Sequence, residues 1–212
     1  MKRAGALFLF AGACLLTLLV LLYAPPSGVS GEQKKMLALL SAYAQDPALD
    51  APGKTAPCSV NGALPDHACT PGAVFAEATP DVICVVGYTK TVRNVSLKLK
   101  QQIYDAYGIV YPQPTGSYEL DHLVPLELGG NNDAANLFPE AAATASGGAP
   151  QNAAGFKEKD LVENYLHQEV CAGLMPLPQA QKIIAEDWLA VYDALSSATI
   201  SALKAQYRSW AN

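Results

Sequence analysis

Asp121 and His122 stand side by side in an apolar stretch, at positions where a strand ordinarily carries Val or Ile. Histidine suits general acid–base chemistry because its ordinary pKa lies near neutrality, and aspartate is a hard oxygen ligand for a divalent cation. The pair is therefore a candidate functional site. The alternative is a structural histidine whose ring is satisfied inside the core.

Two short strands joined by a turn are predicted around this pair, in residues 118–138. Adjacent residues of a strand point to opposite faces, so Asp121 and His122 flank one site only where the strand ends. Pro125 cannot continue a central ladder, and the Gly-Gly-Asn-Asn run at residues 129–132 supplies turn chemistry for a reversal. The second strand is therefore expected around residues 136–138.

Apolar residues at helical spacing predict helices in residues 32–45, 96–108, 156–173 and 177–195. Ser96 is a candidate cap for the second of these helices, and Gly108 is its stop. Residues 81–95 have the β-branched content of one or two strands, whereas the Ala/Gly/Ser-rich residues 141–154 indicate an exposed loop. The predicted fold class is α+β, mainly helical around a small antiparallel sheet.

The first 30 residues are typical of an export signal, because Lys2 and Arg3 precede a long uncharged apolar run that ends near Tyr23. A cleaved signal peptide and an uncleaved transmembrane anchor with its basic end inside are both open interpretations. Either places the rest of the chain outside the cytoplasm, as a secreted or periplasmic protein or tethered to the membrane. The predicted divisions are residues 1–30 (signal or anchor and linker), 31–56 (membrane-proximal helix and loop) and 57–212 (the main domain).

Four cysteines follow the apolar run as an even set, without the Cys-x-x-Cys spacing that is typical of zinc sites. In an oxidising compartment they predict two disulfides, for which three connectivities exist. The favoured pairing joins Cys58 to Cys69, closing a short loop, and Cys84 to Cys171, tying the start of the domain to a late helix. Four unpaired thiols in a cytosolic protein are the alternative.

The charge of the chain is unusual for a nucleic-acid-binding protein, because 14 basic and 19 acidic residues give a formal net charge of −5. Proteins that grip nucleic acid are usually basic, since neutralising phosphates supplies much of their affinity. One segment, residues 89–102, has basic residues and no acidic ones: Lys90, Arg93, Lys98 and Lys100. This strip is a candidate phosphate-facing surface, and a solvated face is the alternative.

The order of these motifs resembles that of the HNH endonucleases, the ββα-metal nucleases. The likeness is carried by Asp121 and His122 followed by Pro125, by the Gly-Gly turn, and by Asn136 with Leu137. More closely, the chain is similar to a group of exported bacterial HNH-like proteins. Further elements of that likeness are CVVGY at residues 84–88, Arg93, a short helix ending in Tyr-Gly, NLFPE, a Lys-Asp helix and an AQ…DW helix. The resemblance covers residues 69–192.

The resemblance implies an enzyme that hydrolyses phosphodiester bonds of DNA, with RNA as the alternative substrate. It implies a ββα-metal unit in which His122 is the general base and Asn136 fixes the orientation of that histidine. It also implies one divalent metal, Mg²⁺ or Mn²⁺ with Zn²⁺ or Ni²⁺ as alternatives, to which Asp121 is a ligand.

The chain departs from the family pattern at the third position of the site, because no His or Asn follows the second strand at the family's distance. The substitute ligand is expected from the later helix, where one stripe carries Asp160, Glu163 and His167. Glu140 is a further candidate ligand. This departure and the acidic charge keep a second interpretation open, an HNH-derived binding or structural module of the cell envelope without catalytic activity.

Overall fold

The computed structural model describes residues 29–43, 49–50, 53, 55–143 and 154–210. Within these ranges the chain forms seven helices and a two-stranded antiparallel sheet. The elements are α1 (Gly31–Tyr43), α2 (Pro80–Ile83), α3 (Tyr88–Val92), α4 (Leu97–Ala106), β1 (Tyr118–His122), β2 (Leu137–Ala141), α5 (Phe156–Cys171), α6 (Leu177–Ala194) and α7 (Ser197–Trp210). The α+β class and the small antiparallel sheet are confirmed.

The apolar run predicted as a signal or anchor lies outside the described residues. None of the helices within the described ranges is long and apolar enough to cross a membrane.

The two strands place Asp121 opposite Phe138 and His122 opposite Leu137. The loop between them folds back through two short 3₁₀ turns, Leu126–Leu128 and Ala134–Asn136. Gly129 ends the first turn with φ +78°, and a Cβ on it would lie 2.4 Å from the Cβ of Ala78, so glycine is required there. The end of β1 is thus held against a fixed loop.

Helix α5 packs on β1, on the Leu126–Leu128 turn and on α6, and α1 also packs on α6. The core between these elements is apolar and closely packed, with Trp188, Phe138, Leu166 and Val162 all fully buried. This packing sets α5 directly beside the end of β1.

Three of the predicted helices are found with bounds close to those expected, as α4, α5 and α6, and α1 matches the predicted N-terminal helix. In α4 the Ser96 hydroxyl oxygen accepts a hydrogen bond from the Leu99 amide at 3.1 Å, so Ser96 is the cap. The strands predicted for residues 81–95 are wrong, because α2 and α3 occupy this segment.

The segment is helical because its proline and glycine residues set where the helices begin, and this outweighs the strand preference of its β-branched residues. Pro80 begins α2, where its missing N–H costs nothing, and Gly87 precedes α3 at φ +86°. Val85 and Val86 are exposed by 60% and 101%, so no sheet or core buries them.

Two disulfides are present, Cys58–Cys69, which closes a short loop, and Cys84–Cys171, which links distant parts of the chain. They are the two pairings that the sequence analysis favoured. The second joins the residue that follows α2 to the last residue of α5. Disulfides of this kind are typical of an oxidising, exported environment.

Candidate functional site

The candidate site lies where the end of β1 meets the first turns of α5. β1 ends at His122, β2 pairs with it, and α5 packs on β1, so two strands and the following helix, in ββα order, frame the site. Asp121 and His122 are the last two residues of β1, and Lys159 and Glu163 approach them from α5.

The ring of His122 is held by Asn132, a residue of the loop between the strands. His122 Nε2 lies 3.2 Å from Asn132 Oδ1. The amide orientation is fixed because Oδ1 also accepts from the Asn94 amide at 3.1 Å, while Nδ2 donates to the Val92 carbonyl at 2.8 Å. Since Oδ1 can only accept, His122 Nε2 must donate, which leaves the lone pair on Nδ1.

The surroundings of His122 favour its neutral form. Burial lowers its pKa below the ordinary 6.5, and Arg93 and Lys159 act in the same direction, whereas Asp121 and Asn132 oppose them. A neutral imidazole with a lone pair on Nδ1 can take a proton from water, which is what a general base must do.

Asn136, which the resemblance assigned to orienting His122, lies fully buried and binds main-chain groups instead. Its Oδ1 accepts from the amides of Val124 and Ala73, at 2.9 and 3.3 Å. Its Nδ2 donates to the carbonyls of Val124 and Asn131, both at 2.9 Å. Asn136 thus fixes the loop that follows β1, whereas the contact with the His122 ring comes from Asn132.

Asn132 was missed as a site residue because it lies in a run that the sequence analysis interpreted as turn chemistry alone. The run does form the turn, since Asn131 Oδ1 accepts from the Asp133 amide at 2.9 Å. Two neighbouring asparagines therefore serve different purposes, and only the distance between Asn132 and the ring distinguishes them.

Both carboxylate oxygens of Asp121 are engaged. Oδ1 accepts from the His122 amide at 2.8 Å, and Oδ2 lies 2.7 Å from Lys159 Nζ. Lys159 is fully buried, and its ammonium also donates to the His122 carbonyl at 2.8 Å and to Glu163 Oε1. All three donors of the ammonium are therefore used.

These ionisable groups strongly shift one another's pKa values. Burial alone would raise the pKa of Asp121, but the Lys159 ammonium outweighs it and holds that pKa at about 2. Burial raises the pKa of Glu163 well above its ordinary value, since the one positive charge of Lys159 is shared with Asp121. Burial and the nearby Asp121 carboxylate likewise raise the pKa of Glu140. Asp121 is thus the carboxylate that the Lys159 ammonium stabilises most strongly.

The expected metal ligands do not form one cluster. Asp121 and Glu163 converge, but on the Lys159 ammonium. Asp160 lies near Glu127 and Glu163, whose pKa values it raises. His167 lies toward the other end of α5, where its Nε2 is 3.3 Å from Cys171 Sγ.

A divalent metal at Asp121 therefore does not fit the arrangement of these residues. Within the described ranges, one group of at least three His, Cys, Asp or Glu side chains has ligand atoms close enough for a metal ion: Cys84, His167 and Cys171, within 4.8 Å of one another. The two sulfurs of this group are bonded to each other, so neither is a thiolate.

The basic strip lies on α3, α4 and the residues between them, where Lys90, Arg93 and Lys98 are exposed. Arg93 is close enough to His122 to lower its pKa. Burial and Asp121 raise the pKa of Glu119, and the positive charges of Lys100, Lys157 and Arg93 oppose that rise. Arg93 and Lys100 therefore lie near the site, joined by Lys157 of α5, which the sequence analysis did not single out.

Neither a scan against protein-family models nor searches of curated proteins and of solved structures found a match for this chain. The resemblance to HNH endonucleases therefore rests on the sequence motifs.

Proposed function

We propose that this protein is an exported endonuclease of the HNH type that hydrolyses phosphodiester bonds of DNA, with RNA as the alternative substrate. One observation carries the proposal: His122 ends β1 of a ββα unit with its Nε2 bound to Asn132. The two disulfides support an exported location, periplasmic, extracellular or tethered to the membrane by the apolar run.

In the proposed reaction, His122 Nδ1 takes a proton from a water molecule and the resulting hydroxide attacks phosphorus. The bond from phosphorus to the leaving oxygen then breaks, and that oxygen takes a proton from solvent. The low pKa of His122 supports this role, because it keeps the imidazole neutral at the pH at which it must accept a proton. Arg93, exposed beside His122, supplies a positive charge toward the phosphate.

The resemblance implies that a divalent metal, Mg²⁺ or Mn²⁺ with Zn²⁺ or Ni²⁺ as alternatives, neutralises the charge that develops on the phosphate. In the arrangement described above, the Asp121 and Glu163 oxygens that would bind such an ion bind Lys159. The residues that support hydrolysis are therefore His122, Asn132 and Arg93.

Nicking of supercoiled plasmid by the purified full chain, with Mg²⁺, with Mn²⁺ and with excess chelator, tests the proposal. We expect His122→Ala to lower the nicking rate by at least about 100-fold, the typical contribution of a general base. The matched control is His67→Ala, because His67 is exposed and should not affect the rate. Absence of nicking in every condition, or equal nicking by His122→Ala, would contradict the proposal.

A second candidate function is an HNH-derived module of the cell envelope that binds or supports other components without catalysis. The ion pair between Asp121 and Lys159 and the net charge of −5 favour this non-catalytic module. In this case His122→Ala lowers the thermal stability of the protein, whereas neither the variant nor the parent chain nicks plasmid.

A further inference from the structure

Lys159 is the most deeply buried charged residue at the site, with none of its side chain exposed. An ammonium removed from water is tolerated only where its charge is compensated and its donors are satisfied. Both conditions are met here by two carboxylates and a main-chain carbonyl, from Asp121, Glu163 and His122. The three partners come from two elements, β1 and α5, so the ammonium joins the strand to the helix.

The same set of oxygens is what a hard divalent cation seeks. Mg²⁺ and Ca²⁺ are bound in proteins by carboxylate and main-chain carbonyl oxygens that converge on one point. At this site such oxygens converge on Lys159 Nζ, which lies 2.7 Å from Asp121 Oδ2 and 2.8 Å from the His122 carbonyl oxygen. The lysine thus occupies the position at which an ion would otherwise be placed.

We propose that Lys159 is the resident cation of this site, and that its ammonium excludes a divalent ion from the carboxylates of Asp121 and Glu163. Lys159 is a positioning residue. It holds the carboxylate of Asp121 and the carbonyl of His122, and so fixes the end of the strand from which the His122 ring projects. Where the inference concerns hydrolysis it rests on the proposed function, but the exclusion of the ion does not.

A consequence is that removing the ammonium should create a metal site. In Lys159→Met the aliphatic volume is kept, and the carboxylates of Asp121 and Glu163 lose their counter-ion beside the buried Glu140. A divalent cation can then compensate the charge with the oxygens already present.

Isothermal titration of Mn²⁺ into the full chain, with unfolding temperature as a second readout, tests this. We expect the parent chain to show no stoichiometric binding in the millimolar range and no rise in unfolding temperature with Mn²⁺. Lys159→Met should bind one Mn²⁺ at least tenfold more tightly and should be stabilised by it. Adding Glu163→Gln to Lys159→Met should remove that gain, which a purely structural role for Lys159 would not predict.

Lys204→Met is the matched control, because Lys204 is an exposed lysine of α7 and should leave Mn²⁺ binding unchanged. The inference is overturned if the parent chain binds one Mn²⁺ and Asp121→Asn abolishes that binding. It is also overturned if Lys159→Met folds and gains no affinity. If Lys159→Met does not fold, the parent chain and Asp121→Asn still decide the matter.

The Mn²⁺-binding experiment and the nicking experiment test the Lys159 inference and the nuclease proposal separately. A parent chain that excludes Mn²⁺ but never nicks plasmid supports the inference on Lys159 and contradicts the nuclease proposal. A parent chain that nicks plasmid only with Mn²⁺ bound at Asp121 supports the nuclease proposal and contradicts the inference. Nicking that persists in excess chelator supports both.

Discussion

The two ends of α5 are anchored to the rest of the molecule by different means. Near its start, Lys159 holds Asp121, 38 residues away in sequence, through a buried ion pair. At its end, Cys171 holds Cys84, 87 residues away, through a disulfide. The first anchor depends on protonation states and lies beside His122, whereas the second depends only on the redox state of two sulfurs. The helix is therefore fixed covalently at one end and by buried charges at the other.

The distance between the two ends of α5 also explains why His167 does not lie near Asp121, as was predicted for a shared metal site. Eight residues separate His167 from Lys159, and a helix rises about 1.5 Å per residue, so they lie about 12 Å apart along the axis. The short strands reach only the first turns of α5. A stripe of polar residues on one helix face can thus contain members of two separate environments.

Breaking the Cys84–Cys171 disulfide at the end of α5 should give the largest loss of stability. Replacing Cys84 and Cys171 together by Ser should lower the free energy of unfolding by about 4–5 kcal/mol, because a long loop is released in the unfolded chain. The loss should be the same at pH 5 and pH 8, measured by urea unfolding. A loss that varied strongly with pH would mean that the two ends of α5 are coupled rather than independent.

The matched control is the double replacement of Cys58 and Cys69 by Ser, which opens a loop with a sequence separation of 11 instead of 87. The chain-entropy model gives a smaller loss here, about 3 kcal/mol. An equal or larger loss would show that native contacts, rather than loop length, set the strength of the covalent anchor.

The start of α5, where Lys159 pairs with Asp121, is the charged end of the helix. Ionisable groups buried there should make the stability of the protein depend on pH, and Glu127 of the Leu126–Leu128 turn tests this. Burial and the nearby Asp160 raise the pKa of Glu127 to about 7. The folded chain therefore keeps this proton to higher pH than the unfolded chain, and stability is lost as the pH rises from about 4.5 through 7.

Glu127→Gln, which stays neutral, should consequently stabilise the protein by about 3 kcal/mol at pH 8 and by little at pH 4.5, as measured by urea unfolding. Glu77→Gln is the control, because Glu77 is exposed. An equal effect of Glu127→Gln at both pH values would show that the carboxylate carries no penalty in the folded state.

The sequence allowed the ββα order to be predicted, because a proline, a Gly-Gly turn and alternating apolar residues are local signals. It also predicted α4 from Ser96 and Gly108. The buried Lys159 could not be predicted, since a lysine in a helix is ordinarily exposed and its partner Asp121 is distant in sequence. Asn132 was hidden for a related reason: turn asparagines look alike until the fold brings one of them to the His122 ring.

The smallest predicted effect concerns Arg93, which extends the charged end of the molecule to the exposed side of His122. Arg93 lowers the pKa of His122, so Arg93→Gln should raise it. Because the folded pKa lies below 6.5, stability falls as the pH drops below 6.5, and Arg93→Gln should make that fall shallower. Titration of the His122 ring protons by NMR measures the shift directly, with Lys90→Gln as the exposed control. An unchanged His122 titration would show that Arg93 does not act on the site. The charged end would then consist only of the buried cluster around Lys159.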